Sequence, residues 1–172
     1  MSTFLFLLAA MTRQAGDTVP PVELASAAAD QIAAQGPLFA SDTDGTHSAA
    51  IVAVTMWEES AFRMSARGDS GRSFCVFQVM LGNAKTREGW TGKDLAGDPV
   101  KCATVGYRLL KASVASKCKA PLAVYVAGHC SVAGQRISAR RMSLARKLWV
   151  DVTRELAEPV ALPVVADGGG RK

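Results

Sequence analysis

Apolar segments with helical spacing alternate with short polar stretches along this chain, a pattern typical of helical domains. The segment at residues 49–57 contains a single polar residue, Thr55. A helix that is apolar nearly all round lies inside a domain rather than on its surface. We therefore predict a buried central helix that is capped by Thr46 or Ser48 and ends near Ala61.

Proline and glycine mark the ends of several other predicted helices. Pro21 suits the first turn of a helix, and Gly36 suits its end. Asp98 is placed as a cap, with Pro99 at the first helical position. These signals and the apolar spacing predict helices at residues 1–13, 22–35, 100–115 and 121–127, with one or two helical turns at residues 83–88.

The last predicted helix combines an apolar stripe with many basic residues. Ser138 is predicted to cap it. The apolar residues that recur at helical spacing are Met142, Ala145, Leu148, Trp149, Val152 and Leu156. The basic residues are Arg140, Arg141, Arg146 and Lys147. We predict that these basic residues form a solvated face, with the binding of an anionic partner as the alternative.

The overall pattern predicts an all-α, single-domain fold. Internal repeats and sustained strand alternation are missing from the sequence, and only Val76, Phe77 and Val79 allow a short hairpin. Residues 1–44 are predicted to be N-terminal helices and a loop that pack on the domain at residues 45–157, and residues 158–172 a disordered tail. The apolar run at residues 4–11 is predicted to be a packed helix, with a signal peptide as the alternative. No segment reaches the length needed to span a bilayer.

Two adjacent glutamates, Glu58 and Glu59, end the predicted central helix. Neighbouring helix positions point about 100° apart, so only one of the two can face a given cleft while the other faces solvent. The apolar walls expected beside that cleft are Trp57, Phe62, Phe74 and Phe77. A carboxyl group held against apolar side chains keeps its proton more readily than one in water. The next loop supplies groups that suit a sugar, namely Gly68, Ser70, Gly71 and Gln78.

Two sequence stretches resemble a known family of enzymes. ESAF at residues 59–62 and GDSGRSFCVFQV at residues 68–79 resemble the glutamate–serine motif and the glycine-and-glutamine loop of lytic transglycosylases with a goose-type lysozyme fold. DLAGDP at residues 94–99, GY at residues 106–107 and LAVYVAG at residues 122–128 agree with the family in order. The resemblance covers residues 48–150 and implies a lysozyme-like fold with a small loop or hairpin beside the cleft. Cys75 replaces a family glycine, and Val126 replaces a family asparagine.

The resemblance implies roles for five residues. Glu59 would be the catalytic acid and base, and Ser60 would orient its carboxylate or cap the local backbone. Ser70 and Gln78 would contact the substrate or support the loop, and Tyr125 would line the cleft near the glutamate. The implied reaction cleaves the MurNAc-GlcNAc bond of peptidoglycan glycan strands. It needs neither a metal ion nor a cofactor.

In that reaction a single glutamate first protonates the glycosidic oxygen. As a carboxylate it then removes the proton of the muramoyl 6-hydroxyl, which closes a 1,6-anhydro ring. A hydrolytic muramidase of the two-carboxylate type is one alternative and needs a second acidic residue, for which Asp69 and Asp98 are the candidates. The other alternative is an inactive lysozyme-like protein with a structural or glycan-binding role.

The charge and the cysteines of the chain bear on its partners. A net charge of +5 and a pI near 9.2 indicate an anionic partner, and the peptide carboxylates of peptidoglycan qualify. Aromatic residues make up only 6% and are not interleaved with basic ones, so a nucleic-acid partner is not expected. Four cysteines without zinc-site spacing favour two disulfides over buried thiols. They place the site of action in the periplasm, outside the cell or on a virion, with a phage or a secretion apparatus as a possible partner.

The disulfide pairing follows from where the predicted helices end. Cys118 ends one predicted helix and Cys130 follows the next, so the two lie at opposite ends of the helix at residues 121–127. We predict that they pair, which leaves Cys75 and Cys102 to each other. The second bond would fix the loop that carries Gln78 to the helices.

Overall fold

A computed structural model describes residues 2–16 and 20–158, and within them seven α-helices pack beside one small sheet. The helices are α1 (Thr3–Ala15), α2 (Val22–Gln35), α3 (Thr46–Ser60), α4 (Gly92–Gly97), α5 (Pro99–Val114), α6 (Ala123–Ala127) and α7 (Val132–Ala157). The strands are β1 (Arg67–Gly68), β2 (Ser73–Phe74) and β3 (Val79–Met80). The prediction of a mainly helical fold is confirmed. A hairpin is present within the three-stranded sheet, but of the three residues predicted for it only Val79 lies in a strand, because Val76 and Phe77 form the turn between β2 and β3.

The central helix α3 is buried along most of its length, between α1 and α7. The relative solvent exposure of each apolar residue from Ala49 to Met56 is at most 1%. The amides of its first turn are satisfied by two aspartates: Asp44 accepts from Thr46, and Asp42 accepts from His47 and Ser48. The predicted cap at Thr46 or Ser48 is therefore wrong, because preceding carboxylates fill that role.

The other helix boundaries follow the proline and glycine signals closely. Helix α2 has the predicted bounds, and α5 begins at Pro99, where the Asp98 carboxylate accepts from the amides of Val100 and Lys101. Residues 83–88 form turns instead of the predicted helical turns. The short helix α4 follows them, and it begins at a capping box that Thr91 and Asp94 form.

Helix α7 begins earlier than predicted. Ser131 caps it by accepting from the amide of Gly134, whereas Ser138 lies inside the helix and accepts from the amide of Leu122. Its buried stripe is Gly134, Ser138, Arg141, Ala145, Leu148 and Val152. Leu156, predicted to be buried, is 44% exposed. The stripe therefore continues through polar side chains into the first half of the helix.

The sheet is antiparallel in the order β1, β2, β3, with Ser73 opposite both Gly68 and Met80. Strands β2 and β3 are joined by a tight turn in which the backbone N–H of Gln78 donates to the carbonyl of Cys75 at 3.1 Å. Cys75 and Gln78 have φ values of 60° and 48°, in the left-handed region. We call residues 75–78 the β2–β3 turn.

Both predicted disulfides are confirmed. Cys75 pairs with Cys102 on α5, with 6.2 Å between their Cα atoms, and we call this bond the turn disulfide. Cys118 pairs with Cys130 across the short helix α6, with 5.6 Å between their Cα atoms. The turn disulfide ties the β2–β3 turn to one of the main helices.

Helix α1 packs against α2, α3 and α7, and its Phe6, Leu7, Ala10 and Met11 are completely buried. Its apolar segment thus contacts the core, as the packed-helix prediction required. Across residues 2–16 and 20–158, none of the helices has the length and apolar character that crossing a membrane requires. The predicted tail at residues 158–172 lies outside the described residues apart from Glu158.

Candidate active site

Two adjoining depressions form one groove at the C-terminal end of α3, and Glu59 and Gln78 line both of them. The smaller has a volume of about 340 Å³ and is bordered by the segment from Arg63 to Gly68. The larger, of about 560 Å³, runs between the sheet, α5 and α6. The two depressions therefore adjoin each other at Glu59 and Gln78.

Glu59 is held by an arginine of α7. Nη1 of Arg141 donates to Oε1 of Glu59 at 2.6 Å, and the two side chains are 9% and 20% exposed. Within the described part of the chain, Oε2 of Glu59 has no hydrogen-bond partner, so that oxygen is available to a ligand in the groove. The expected solvated face is thus wrong for Arg141, because this side chain lies in the buried stripe of α7.

Glu58 points to another part of the surface. Its Oε1 accepts from Nη2 of Arg140 at 3.1 Å, and its side chain lines neither depression. With 19% exposure it is a half-buried partner of an exposed arginine rather than the fully solvated residue that we predicted. The prediction that only one of the two glutamates faces the cleft agrees with this arrangement.

Gln78 is fixed by the β2–β3 turn and by strand β1. Its Nε2 donates to the carbonyl of Cys75 at 2.9 Å. Its Oε1 lies against Gly68, where an added Cβ atom would approach it to 2.2 Å. A side chain at residue 68 would therefore displace the amide of Gln78, and the glycine allows this amide to approach the backbone of β1 closely.

Tyr125 of α6 lines the larger depression together with Glu59 and also supports the β2–β3 turn. Its hydroxyl donates to the carbonyl of Phe77. Removal of the phenol from water raises the pKa of Tyr125 well above 10.0, the carboxylate of Glu59 acts in the same direction, and Arg141 opposes them. Tyr125 therefore stays protonated at neutral pH and keeps donating to the turn.

The remaining predicted site residues lie apart from the groove. Ser60 is buried, and its hydroxyl donates to the carbonyl of Met56 at 2.9 Å, so it bonds to local backbone rather than to the carboxylate of Glu59. Ser70 is exposed and lines neither depression. The structure thus brings together three of the predicted site residues, Glu59, Gln78 and Tyr125, and leaves these two serines outside.

The predicted apolar walls are mostly elsewhere. Of the four aromatic residues, only Phe77 lines the groove. Trp57 and Phe62 pack on each other with ring centroids 5.4 Å apart, and the ring of Phe74 lies against Gly92. The surroundings of Glu59 are therefore more polar than the sequence suggested.

Asp69 is a second carboxylate on the groove. It lines the larger depression together with Glu59, and its Oδ2 accepts from the hydroxyl of Ser73. It has a φ of 51°, in the turn between β1 and β2. Asp98, the other candidate, caps α5 and does not line the groove.

The groove also contains arginines that the sequence analysis did not single out, Arg63 and Arg67. Arg141 pairs with Glu59, whereas Arg63 and Arg67 line the smaller depression with it. For Arg141 a signal was present, because it is spaced by four and seven residues from Ala145 and Leu148 and so belongs to their helix face.

The side chains on the groove offer carboxylate, guanidinium and amide chemistry. Within residues 2–16 and 20–158, no group of three His, Cys, Asp or Glu side chains is placed to hold a metal ion. Comparisons with models of protein families, with curated proteins and with solved structures found no match.

Proposed function

We propose that this protein is a peptidoglycan lytic transglycosylase with a lysozyme-like fold, in which Glu59 is the catalytic acid and base. One observation carries the proposal: three of the five residues to which the resemblance assigns roles, Glu59, Gln78 and Tyr125, come from separate elements and meet at one groove. A groove of two adjoining depressions that share this carboxyl group offers room for a linear glycan strand around the bond that is cut.

In the first step Glu59 donates its proton to the glycosidic oxygen as the bond to the muramoyl carbon breaks. The carboxylate that forms lies 2.6 Å from Nη1 of Arg141. A cation fixed beside a charge that develops during the reaction stabilises the transition state more than the ground state. We therefore assign Arg141 as a positioning residue that holds Oε1 and leaves Oε2 for proton transfer.

In the second step the carboxylate of Glu59 removes the proton of the muramoyl 6-hydroxyl, and that oxygen bonds to the anomeric carbon. The product carries a 1,6-anhydro ring, and Glu59 is protonated again. Gln78 presents an amide on the same groove, where it can hydrogen-bond to the sugar. Tyr125 acts on this amide indirectly, because its hydroxyl fixes the carbonyl of Phe77, the residue before Gln78.

A hydrolytic muramidase is the second candidate, and Asp69 is the observation that favours it. Its carboxylate lines the same depression as Glu59, so it could activate a water molecule or stabilise the sugar cation. The third candidate, an inactive glycan-binding protein, is favoured by the ion pair that Glu59 already makes with Arg141.

Digestion of purified sacculi, with analysis of the soluble products by mass spectrometry, distinguishes the three candidates. We expect fragments that end in 1,6-anhydromuramic acid. Fragments with reducing ends would identify a hydrolase and overturn the transglycosylase proposal. Binding to sacculi without the release of any fragment would instead support the inactive protein.

The place of action belongs to the same proposal. Two disulfides are typical of proteins in oxidising compartments, which include the periplasm and the extracellular space, where peptidoglycan is accessible. We propose that the protein opens the wall locally there, in the service of a phage or a secretion apparatus. Measuring the free thiols of protein purified from the native periplasm or from virions tests the compartment.

A further inference from the structure

We propose that Arg63 and Arg67 form a carboxylate-binding subsite that recognises the peptide stems of peptidoglycan beside the bond that Glu59 cleaves. This inference rests on the proposed function and adds a specificity that the sugar-binding residues do not provide. Both arginines line the smaller depression, together with Glu59 and Gln78.

Each of the two guanidinium groups is held in place by a neighbouring group. Nε of Arg63 donates to the carbonyl of Ser60 at 3.0 Å, which leaves both terminal nitrogens of this side chain free to bind a ligand. The guanidinium of Arg67 lies over the ring of Phe74, with Cζ 5.6 Å from the ring centroid. An arginine that is already oriented loses less side-chain entropy when it binds a ligand.

The charge around this depression is not balanced. Neither Arg63 nor Arg67 has a carboxylate within 4.0 Å among the described residues. Glu59 is the only acidic side chain that lines the depression in the described part of the chain, and it is already paired with Arg141. The depression therefore has a net positive charge and favours an anion.

The chemistry of the substrate indicates which anion this is. A guanidinium binds a carboxylate through two parallel hydrogen bonds, a geometry that a hydroxyl group does not match. The sugars of an unmodified glycan strand carry no charge, but the lactyl group of each muramoyl residue bears a peptide with free carboxylates. A stem attached to the sugar at the cleavage site can reach the depression, because this depression adjoins the carboxyl group of Glu59.

Cleavage of two substrates that differ only in their stems tests the subsite. We would compare glycan strands that retain their peptides with strands from which an amidase has removed them, using the parent protein and the Arg63→Gln, Arg67→Gln and double variants. The kcat/KM for strands with stems should fall about threefold for each single variant and about tenfold for the double variant, as expected for partly exposed ion pairs. The kcat/KM for bare strands should fall by a smaller factor, so that the ratio of kcat/KM between the two substrates decreases with each substitution.

Arg146→Gln is the matched control. Arg146 is an exposed arginine of α7 that lines neither depression, so this change lowers the net charge equally without altering the groove. It should leave both substrates unaffected. An equal decrease in kcat/KM for strands with and without stems would overturn the proposed subsite. A similar decrease in the Arg146→Gln variant would overturn it as well.

A binding measurement keeps this result separate from the proposed function. Titration of the Glu59→Gln protein with a muramoyl peptide, and with the same peptide whose carboxyl groups are amidated, should show preferential binding of the charged ligand. That preference should disappear in the variant that also lacks both arginines. Preferential binding without any cleavage by the parent protein would retain the subsite and refute the enzyme, whereas cleavage without this preference would refute the subsite alone.

Discussion

Two substitutions of Glu59 separate its proposed chemistry from its contribution to folding. Glu59→Gln removes the titrating proton but keeps an oxygen that can accept from Arg141. Glu59→Ala removes both. General acid and base catalysis contributes about 10²-fold to 10⁴-fold to the rate. Each variant should therefore lose at least about 10²-fold in activity.

The stabilities of the two variants should differ, and the burial of the ion pair sets the difference. Arg141 is 9% exposed, and its Nε already has no hydrogen-bond partner among the described residues. Leaving a fully buried charge without its partner costs about 3–5 kcal/mol. Since Glu59 is 20% exposed, water can replace part of the contact, and we expect a loss of about 2 kcal/mol for Glu59→Ala. Glu59→Gln keeps an acceptor and should lose only about 1 kcal/mol.

Urea unfolding gives both stabilities, and the release of soluble fragments from sacculi gives the activity. Glu58→Gln is the matched control, since Glu58 has nearly the same exposure but pairs with Arg140 and does not line the groove. It should remain active and lose less than about 1 kcal/mol. An active Glu59→Gln protein, or an inactive but folded Glu58→Gln protein, would show that the catalytic acid has been placed at the wrong residue.

Three other predictions concern the groove, the disulfides and acid stability. Gly68→Ala should lower activity at least about tenfold by displacing the Gln78 amide, while Gly97→Ala, where an added Cβ meets nothing within 4 Å, should not; a glycan-cleavage assay decides. Replacing both cysteines of the turn disulfide, which are 27 residues apart, by serine should cost about 3–4 kcal/mol and lower Tm by about 10 °C in calorimetry. Arg108 lowers the pKa of Glu88 from 4.5 to about 2, so their pair stabilises the fold above pH 4.5 and stops doing so as the pH falls towards 2. Arg108→Gln should be about 1 kcal/mol less stable than the parent protein at pH 7, and this difference should shrink as the pH falls towards 2, by urea unfolding.

The helix boundaries were predictable where a single residue type decides them. Pro21 and Gly36 gave the bounds of α2, and Asp98 with Pro99 gave the start of α5, because the physics of these signals is local. The cap of α3 was predicted at the wrong residues. Several polar residues near its start could each cap the helix, and only the folded loop shows that Asp42 and Asp44 reach the free amides.

The main part of the site that the sequence did not predict is Arg141. The apolar stripe of α7 was followed through Ala145 and Leu148, and it continues at the same spacing to Arg141 and Ser138. A search for apolar residues stops where the stripe becomes polar, although the helix face stays buried. Ser138 is needed there to accept from the amide of Leu122, and Arg141 to pair with Glu59. Polar residues at positions on the buried face of a helix therefore indicate partners on other elements. The spacing of residues in the sequence does not identify these partners.

The turn disulfide offsets the conformational cost of the backbone at Cys75. Cys75 has a φ of 60°, a conformation that costs a residue with a side chain about 1–2 kcal/mol and glycine very little. A cross-link that closes a segment of this length stabilises the fold by about 3–4 kcal/mol, which exceeds that cost. The same bond fixes the β2–β3 turn to α5, and it adds to the hydrogen bonds that already hold the turn and Gln78. Reduction removes only the covalent restraint, because the hydrogen bond from Tyr125 to the carbonyl of Phe77 remains, so the turn should become more mobile while Glu59, which pairs with Arg141 of α7, stays in place.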